Sequence, residues 1–149
     1  MEYGCIGEKL SHSFSKIIHA RLADYNYELC EIPLKGLDGF MKKADFKAIN
    51  VTIPYKQAVI PYLYYISDTA KKIGAVNTVV NKNGKLYGYN TDFSGLHALL
   101  VRQRADLKGG KVLILGSGGT SKTAAAVAED LGAKEIYRVS RSGSDGAIT

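Results

Sequence analysis

The most restrictive part of this sequence lies near its end, where an aliphatic run, a glycine-rich turn and a small-residue segment follow one another. The run Lys111-Val-Leu-Ile-Leu115 is nearly continuous in large aliphatic side chains, which is typical of a strand buried on both faces. Gly116-Ser-Gly-Gly119 comes next, and apolar positions then recur at helical spacing at Ala124, Val127, Ala128 and Leu131. Gly132 suits a helix C-cap, and residues 135–139 are predicted to form a second strand. The pattern predicts one βαβ unit, whose two strands must be parallel.

The glycine turn has a chemical use in this position between a buried strand and a helix. Gly116, Gly118 and Gly119 let the backbone turn sharply, so that a pyrophosphate can approach the N–H groups and the positive dipole end of the helix. We therefore predict dinucleotide binding at these glycines and at Thr120, which follows them. The turn nearly matches the phosphate-binding loop of nucleoside triphosphatases. Ser121 stands where that motif needs a glycine, which argues against triphosphate hydrolysis.

The residues after the second predicted strand indicate which dinucleotide binds. An NAD site usually has an acidic residue there to accept hydrogen bonds from the ribose hydroxyl, whereas a carboxylate would repel the additional phosphate of NADP. This chain instead has Ser140-Arg141-Ser142. We predict NADP as the cofactor, with Arg141 binding the 2′-phosphate and Ser140 or Ser142 donating hydrogen bonds.

Composition and charge argue against several other classes of protein. No apolar run reaches the ~18–20 residues of a membrane span, and the start of the chain lacks a signal peptide, so we expect a cytoplasmic protein with no membrane partner. The formal charge of +6 comes from lysines and arginines that never form a block, so nucleic-acid binding is not expected. The spacing of His12, His19 and His97 suggests no metal site, and Cys5 and Cys30 are predicted to be buried, reduced thiols.

The chain before residue 106 alternates strand-like and helix-like segments. Strands are predicted at Tyr3–Gly7, Tyr27–Ile32 and Ala48–Ile53, and a hairpin is predicted from Ala75–Asn81 and Lys85–Asn90 around Asn83-Gly84. Helices are predicted where Ile18, Leu22 and Tyr25 share a face, at Leu37–Ala44 and at Asp92–Ala105. The fold class is therefore α/β, a mostly parallel sheet with helices on both faces, followed by the first βαβ unit of a Rossmann-type domain. The predicted domains are residues 1–105 and 106–149.

Polar residues recur where these predicted strands end, which is where open α/β sheets usually bind ligands. They are Ser13, Ser15, Thr52, Lys56, Asn77, Asn90 and Asp92. Each alone also has a simple structural explanation: the serines could cap a helix, Asp92 could complement a helix dipole, and Lys56 could be solvent-exposed.

Together these residues lie in segments that resemble one family. Motifs of the shikimate dehydrogenases are matched, in order, by Leu10-Ser-His-Ser13-Phe-Ser15, Asn50-Val-Thr52-Ile-Pro-Tyr-Lys56, Gly74-Ala-Val-Asn77-Thr, Gly88-Tyr-Asn90-Thr-Asp92 and Gly116-Ser-Gly-Gly119. The resemblance implies NADP-dependent, reversible reduction of 3-dehydroshikimate to shikimate in aromatic amino acid biosynthesis. It also implies roles for the polar residues: Ser13 and Ser15 hold the substrate carboxylate, Thr52, Asn77 and Asn90 surround the ring hydroxyls, and Lys56 with Asp92 forms the acid–base pair.

Elementary chemistry agrees with the implied roles. Hydride transfer to a ketone leaves negative charge on oxygen, and a lysine beside a carboxylate can both stabilise that charge and supply the proton.

The resemblance also implies a longer protein, because family members continue through further strands of the nucleotide-binding domain and a C-terminal segment whose Tyr and Gln contact the ligand. We therefore expect this chain to be a truncated product that binds shikimate weakly and turns over poorly or not at all. We expect a monomer or homodimer whose partner is a small-molecule substrate. Two alternatives stay open: a quinate or dual-specificity dehydrogenase, and a ligand-binding module without hydride chemistry.

Overall fold

The computed structural model of the protein describes residues 1–141, which divide into two compact units. The first unit comprises Met1–Lys71 and Ala75–Asn90, and the second comprises Lys72–Gly74 and the described chain from Thr91 onward. The helix that follows Asn90 therefore groups with the second unit, whereas the sequence pattern places a boundary after residue 105. The division into a catalytic domain of residues 1–105 and a nucleotide-binding domain of residues 106–149 stays a prediction.

The elements up to residue 89 confirm the predicted alternation of strands and helices. In chain order they are β1 (Tyr3–Gly7), α1 (Ser15–Leu22), β2 (Tyr27–Glu31), α2 (Leu37–Lys43), β3 (Ala48–Val51), β4 (Tyr65–Ile66), α3 (Asp68–Ile73), β5 (Thr78–Lys82) and β6 (Lys85–Tyr89). Short 3-10 turns lie at Leu34–Gly36 and Ile60–Tyr62. The sequence pattern does not predict β4 or α3, and it starts the hairpin three residues before β5 begins at Thr78.

The six strands form one mostly parallel sheet, as predicted, in the order β2-β1-β3-β5-β6-β4. Among the described strands of this sheet, only β5 runs against its neighbours. The register places Asn50 of β3 opposite both Cys5 of β1 and Thr78 of β5. At the predicted hairpin turn, Asn83 and Gly84 adopt positive φ values of 54° and 82°, which suits a two-residue turn between twisted antiparallel strands.

The main core of the first unit lies on one face of this sheet. Its buried members are Ile6, Ile32, Leu37, Met41, Phe46, Ile49, Val51, Tyr55, Val59, Ala70, Val76, Val79 and Leu86. Alternate residues of the same strands point to the opposite face, where Cys5, Leu10 and Tyr27 form a smaller buried cluster. The sheet is therefore packed on both faces.

Helix α1 contacts the sheet through an aromatic side chain. The helix forms as predicted but ends at Leu22, which is 72% exposed, and it buries none of its residues. Its contact with the sheet runs instead through His19, whose ring stacks on Tyr27 with centroids 3.8 Å apart. Ile18 and Leu22 are exposed, whereas Tyr25, which lies beyond the end of the helix, packs against the smaller buried cluster.

The second unit contains α4 (Thr91–Arg102), β7 (Lys111–Leu115), α5 (Gly119–Asp130) and β8 (Glu135–Val139). β7 and β8 pair in parallel, and Gly132 takes a positive φ of 83° after α5, so the predicted βαβ unit is confirmed. Burial of β7 on both faces is wrong for the described chain, since Leu115 is 81% exposed. The reason is that the pair of strands has one connecting helix, α5, which can cover only one of its two faces.

Within residues 1–141, every helix is too short or too polar to cross a lipid bilayer.

Candidate functional site

Segments that carry the sequence motifs meet at one edge of the six-stranded sheet. The N–H of Thr52 donates to the Ile6 carbonyl at 2.9 Å, which brings together the ends of β1 and β3. The N–H of Val51 donates to the Asn77 carbonyl at 2.8 Å, and the N–H of Asn77 donates to the Tyr89 carbonyl at 3.0 Å. The carboxyl ends of β1, β3 and β6 thus share this edge with the start of β5.

A cavity of about 380 Å³ opens at the end of β1. Its lining includes both motif serines, Ser13 and Ser15, together with Thr52, Cys5 and Lys9. The hydroxyls of Ser13, Ser15 and Thr52 supply hydrogen-bond donors, and the Lys9 side chain adds a positive charge. A small anion such as a carboxylate suits this lining.

The loop that carries the serines is held by hydrogen bonds to its own backbone and to β2. The Leu10 N–H donates to the Glu31 carboxylate at 2.7 Å, and the Ser13 N–H donates to the Leu10 carbonyl at 2.9 Å. The Ser13 hydroxyl accepts the Ser15 N–H at 3.3 Å, although the N-cap position of α1 is Phe14 and has no side-chain cap. A hydroxyl that accepts one bond can still donate its proton, so this turn is compatible with anion binding.

Lys56 lies in the turn after β3, where its carbonyl accepts the Val76 N–H at 2.8 Å. Burial raises the pKa of the Cys5 thiol, and the Lys56 ammonium partly offsets this by favouring the thiolate. Cys5 lines the serine cavity, so the field of the Lys56 charge reaches one wall of that cavity. The half-buried Lys56 is therefore not a fully solvated lysine.

The two motif asparagines are nearly inaccessible, with 7% of Asn77 and 6% of Asn90 exposed. The Asn90 amide donates to the Ala75 carbonyl at 3.0 Å, and the Asn77 amide oxygen accepts the Thr78 hydroxyl at 3.1 Å. Buried amides cost free energy unless their groups are bonded, so these contacts hold both side chains in defined orientations at the sheet edge.

Asp92 is the second residue of α4 and carries its first-turn negative charge, as the helix dipole favours. It is half-buried and belongs to the second unit, whereas Lys56 belongs to the first. Their function as an acid–base pair stays a prediction.

The glycine turn of the second unit has the backbone that the sequence indicates. Gly116 has a φ of 126°, a region that favours glycine, and its N–H donates to the Val139 carbonyl at 2.7 Å. Gly118 is the N-cap of α5, whose first turn includes Gly119 and the exposed Thr120. The Ser121 hydroxyl donates to the Gly118 carbonyl at 2.7 Å. This side-chain hydrogen bond closes the turn at the position where the phosphate-binding loop of nucleoside triphosphatases has a glycine.

A second cavity, of about 800 Å³, lies beside this turn and is lined by Leu115, Gly116, Ser117, Val139, Ser140 and Arg141. Within residues 1–141, the buried Ser140 hydroxyl has no hydrogen-bond partner. A buried hydroxyl without a partner costs free energy, so it is a site at which a polar ligand atom would be favourable. Ser142, which is also predicted to bind the cofactor, lies outside the described residues.

The structure also shows polar residues of the first site that sequence reasoning did not single out. Tyr27 donates a hydrogen bond to Asn50 at 2.6 Å, and Glu31 anchors the serine loop. Asn50 is the first residue of the motif that ends at Lys56, but its contacts depend on the register of β3 with its neighbouring strands. No group of three or more His, Cys, Asp or Glu side chains within the described chain is arranged to hold a metal ion.

Fold and site together define a class: α/β proteins that combine a hydroxyl-lined pocket at a sheet edge with a glycine turn between a strand and a helix. Residues 5–79 match the family described as the shikimate dehydrogenase substrate binding domain. The chain therefore belongs to the shikimate dehydrogenase family.

Similar proteins agree with this assignment. The shikimate dehydrogenase (NADP(+)) of Clostridium beijerinckii is 45% identical over 93% of this chain and 54% of its own length. The crystal structure of shikimate dehydrogenase 1 from Peptoclostridium difficile has a TM-score of 0.89 and 39% identity, and it covers 99% of this chain and 58% of that one. The Thermus thermophilus shikimate 5-dehydrogenase in complex with NADP(H) and shikimate has a TM-score of 0.84 and 32% identity, over 95% of this chain and 56% of that one. The chain thus spans about half the length of these relatives.

Proposed function

We propose that this chain supplies the substrate-binding half of an enzyme that reversibly reduces 3-dehydroshikimate to shikimate with NADPH. The observation that carries the proposal is the shared sheet edge: Ser13, Ser15 and Thr52 line a cavity there together with Lys9, and the backbone of the buried Asn77 is hydrogen-bonded to Val51 and Tyr89 at the same edge. Shikimate presents one carboxylate and several ring hydroxyls, which is the complement of that set of donors and acceptors. Its proposed setting is the cytoplasm, with the small-molecule substrate as partner and a monomer or homodimer as assembly.

Each side chain has a defined part in this proposal. Ser13 and Ser15 hold the carboxylate, while Thr52, Asn77 and Asn90 orient the ring hydroxyls. Lys56 is assigned as the proton donor to the oxygen that gains negative charge, and Asp92 is assigned as the second member of the acid–base pair.

The residues of the second unit fit NADP. Within residues 1–141 no side chain caps α5, so its first N–H groups can face a pyrophosphate, and the Ser140 hydroxyl, which has no hydrogen-bond partner in that range, lies beside Arg141, whose guanidinium suits a phosphate. When bound, the cofactor supplies the hydride. Gly116, Gly118, Gly119, Thr120, Ser140 and Arg141 are the proposed contacts, with Ser142 predicted from the sequence alone.

The substrate proposal is tested by titrating shikimate into the isotope-labelled chain and following backbone N–H signals by NMR. We expect signals of Ser13, Ser15 and Thr52 to move, and we expect Ser13→Ala with Ser15→Ala to weaken binding by about tenfold or more, since each serine donates to a charged group. Ser94→Ala is the matched control, because Ser94 is exposed on α4. Undiminished binding by the double variant, or no binding by the unchanged chain, would contradict the proposal. Parallel titration with quinate separates the quinate-binding alternative.

The cofactor proposal is tested by comparing NADPH and NADH binding to the chain by nucleotide fluorescence. Arg141→Ala is expected to weaken NADPH by about tenfold or more, the loss of a charge-assisted phosphate contact, and to leave NADH nearly unchanged. Arg102→Ala, an exposed arginine at the end of α4, is the control. An equal loss for both nucleotides would reject the assignment of Arg141 to the 2′-phosphate.

A further inference from the structure

The serine cavity at the end of β1 has a basic part to its lining. Lys9 and His12 line it together with the hydroxyls of Ser13, Ser15 and Thr52. Hydroxyl groups donate hydrogen bonds to a carboxylate and also to the carbonyl oxygen of a neutral ester. A cation adds discrimination that neutral donors lack, because it attracts the charged ligand and not the neutral one.

The backbone on both sides of Lys9 is held in place. The Glu8 N–H donates to the Ile53 carbonyl at 3.3 Å, and the Leu10 N–H donates to the Glu31 carboxylate at 2.7 Å. Leu10 is also buried, with only 4% of its surface exposed. The main chain therefore fixes the position of Lys9 at the cavity, and the part that can move is its side chain.

The charges beside Lys9 leave its ammonium available to a ligand. Two carboxylates belong to the adjacent segments, Glu8 in the same loop and Glu31 at the end of β2, and the Glu31 carboxylate accepts the Leu10 N–H. Among the ion pairs of residues 1–141, none includes Lys9. Lys9 is exposed, so its long side chain can contact the cavity wall while its ammonium stays hydrated. A carboxylate bound in the cavity would give this ammonium an ion-pair partner.

We propose that Lys9 is a specificity-determining residue whose ammonium makes the serine cavity select a carboxylate over a neutral group of similar shape. In this arrangement Ser13 and Ser15 orient the carboxylate by hydrogen bonds, and Lys9 recognises its charge. The inference rests on the proposed function. Because the ion pair is exposed to solvent, its attraction is modest and is screened by salt.

The test compares shikimate with its methyl ester, which keeps the ring hydroxyls but lacks the negative charge. Both are titrated at low ionic strength into the unchanged chain, Lys9→Gln and Lys9→Arg, and the ratio of the two affinities measures selection for the carboxylate. We expect Lys9→Gln to shrink this ratio by about two- to fivefold, the range of an exposed ion pair, and Lys9→Arg to keep it. Raising the salt concentration to about 0.5 M should shrink the ratio more for the unchanged chain than for Lys9→Gln.

Two control variants separate Lys9 from the other positive charges. Lys35→Gln removes the same charge from an exposed lysine of the same unit that does not line the cavity, and it should leave the ratio unchanged. His12→Gln removes the other basic side chain of the lining and should change the ratio less than Lys9→Gln, since an imidazole carries its charge over only part of the neutral pH range. Lys56 is present in every variant, so its field contributes equally to each comparison.

The possible results distinguish this inference from the proposed function. An unchanged ratio in Lys9→Gln, an equal loss in Lys35→Gln or a larger loss in His12→Gln overturns the inference alone. Equal weakening of both ligands by Lys9→Gln also overturns it, because that result assigns Lys9 to the structure of the loop. No shikimate binding by the unchanged chain overturns the proposed function and this inference together.

Discussion

Replacement of Gly88 by alanine gives a direct test of how closely the strands and loops pack beside the sheet edge that carries the candidate substrate site. Gly88 is buried on β6, and a methyl group there would overlap the Leu63 Cδ1 atom and lie 3.1 and 3.2 Å from the two Val76 methyl carbons. Carbon atoms prefer about 3.5–4.0 Å, so Val76 must move by a few tenths of an ångström and Leu63 must change rotamer. Val76 is fully buried and branched at Cβ, which leaves it little freedom to move.

The expected size of the effect follows from two opposing contributions. Overpacking of a core costs about 1–3 kcal/mol, whereas replacing glycine by alanine stabilises by about 0.4–1 kcal/mol through the unfolded chain. We expect Gly88→Ala to lower the free energy of unfolding by about 1–2 kcal/mol. Because Val76 precedes Asn77, shikimate affinity should fall as well.

Urea unfolding measures this prediction, since an unchanged slope with a lower midpoint reports lost stability. Gly39→Ala is the matched control: Gly39 is exposed in α2 of the same unit and has nothing within 4 Å of the added methyl group. That variant should gain about 0.5–1 kcal/mol, so the two substitutions should differ in sign. A Gly88→Ala chain as stable as the unchanged one would refute the close-packing argument.

Three other predictions concern single groups. Ser140→Ala removes a buried hydroxyl that has no partner in the described chain, so the variant should be as stable as the unchanged chain or up to about 1–3 kcal/mol more stable. The variant should also bind NADPH more weakly. A loss of stability in thermal unfolding would contradict this prediction. The Tyr137 hydroxyl and the Lys111 ammonium lower the pKa of Glu135 from its ordinary 4.5. Their contribution is therefore present above about pH 4.5 and lost as the pH falls through the lowered pKa, so the unfolding midpoint of Glu135→Gln should depend less on pH in that range. In a version of the protein that spans the full length of its relatives, Lys56→Ala should lower turnover by about 10²–10⁴-fold with a smaller change in substrate binding, measured by steady-state NADPH formation. Normal turnover would remove Lys56 from the mechanism.

Local patterns predicted the parts of the fold that depend on neighbouring residues. The βαβ unit follows from an aliphatic run, a glycine turn and helical spacing, all within about 30 residues. β4 could not be predicted in this way, because two residues, Tyr65 and Ile66, show no period and owe their pairing to β6. Burial of β7 on both faces was wrong from the pattern, since an aliphatic run indicates a strand but not what covers it.

In the candidate site, too, some residues could be selected from local patterns, whereas the contacts that depend on the fold could not. Ser13, Thr52, Asn77 and Asn90 could be selected because strand ends collect ligand-binding groups. The bonds from Tyr27 through Asn50 to Thr78 could not, because they require the register that sets Asn50 opposite Thr78 across separate segments of the chain. Periodicity alone does not determine a register between distant strands.

Because β5 runs antiparallel to its neighbours, the hairpin turn between β5 and β6 limits which insertions the candidate site can tolerate. Asn77 directly precedes the β5–β6 hairpin and Asn90 directly follows it. The strand register, from Thr78 opposite Tyr89 to Lys82 opposite Lys85, fixes the positions of these two residues relative to each other. Because side chains alternate between the faces of a strand, one extra residue beside Asn83-Gly84 would invert the parity of β6 and swing Asn90 away from the Ala75 carbonyl. We therefore expect the Asn83-Gly84 turn to set the relative placement of Asn77 and Asn90, and insertions of even length to preserve it.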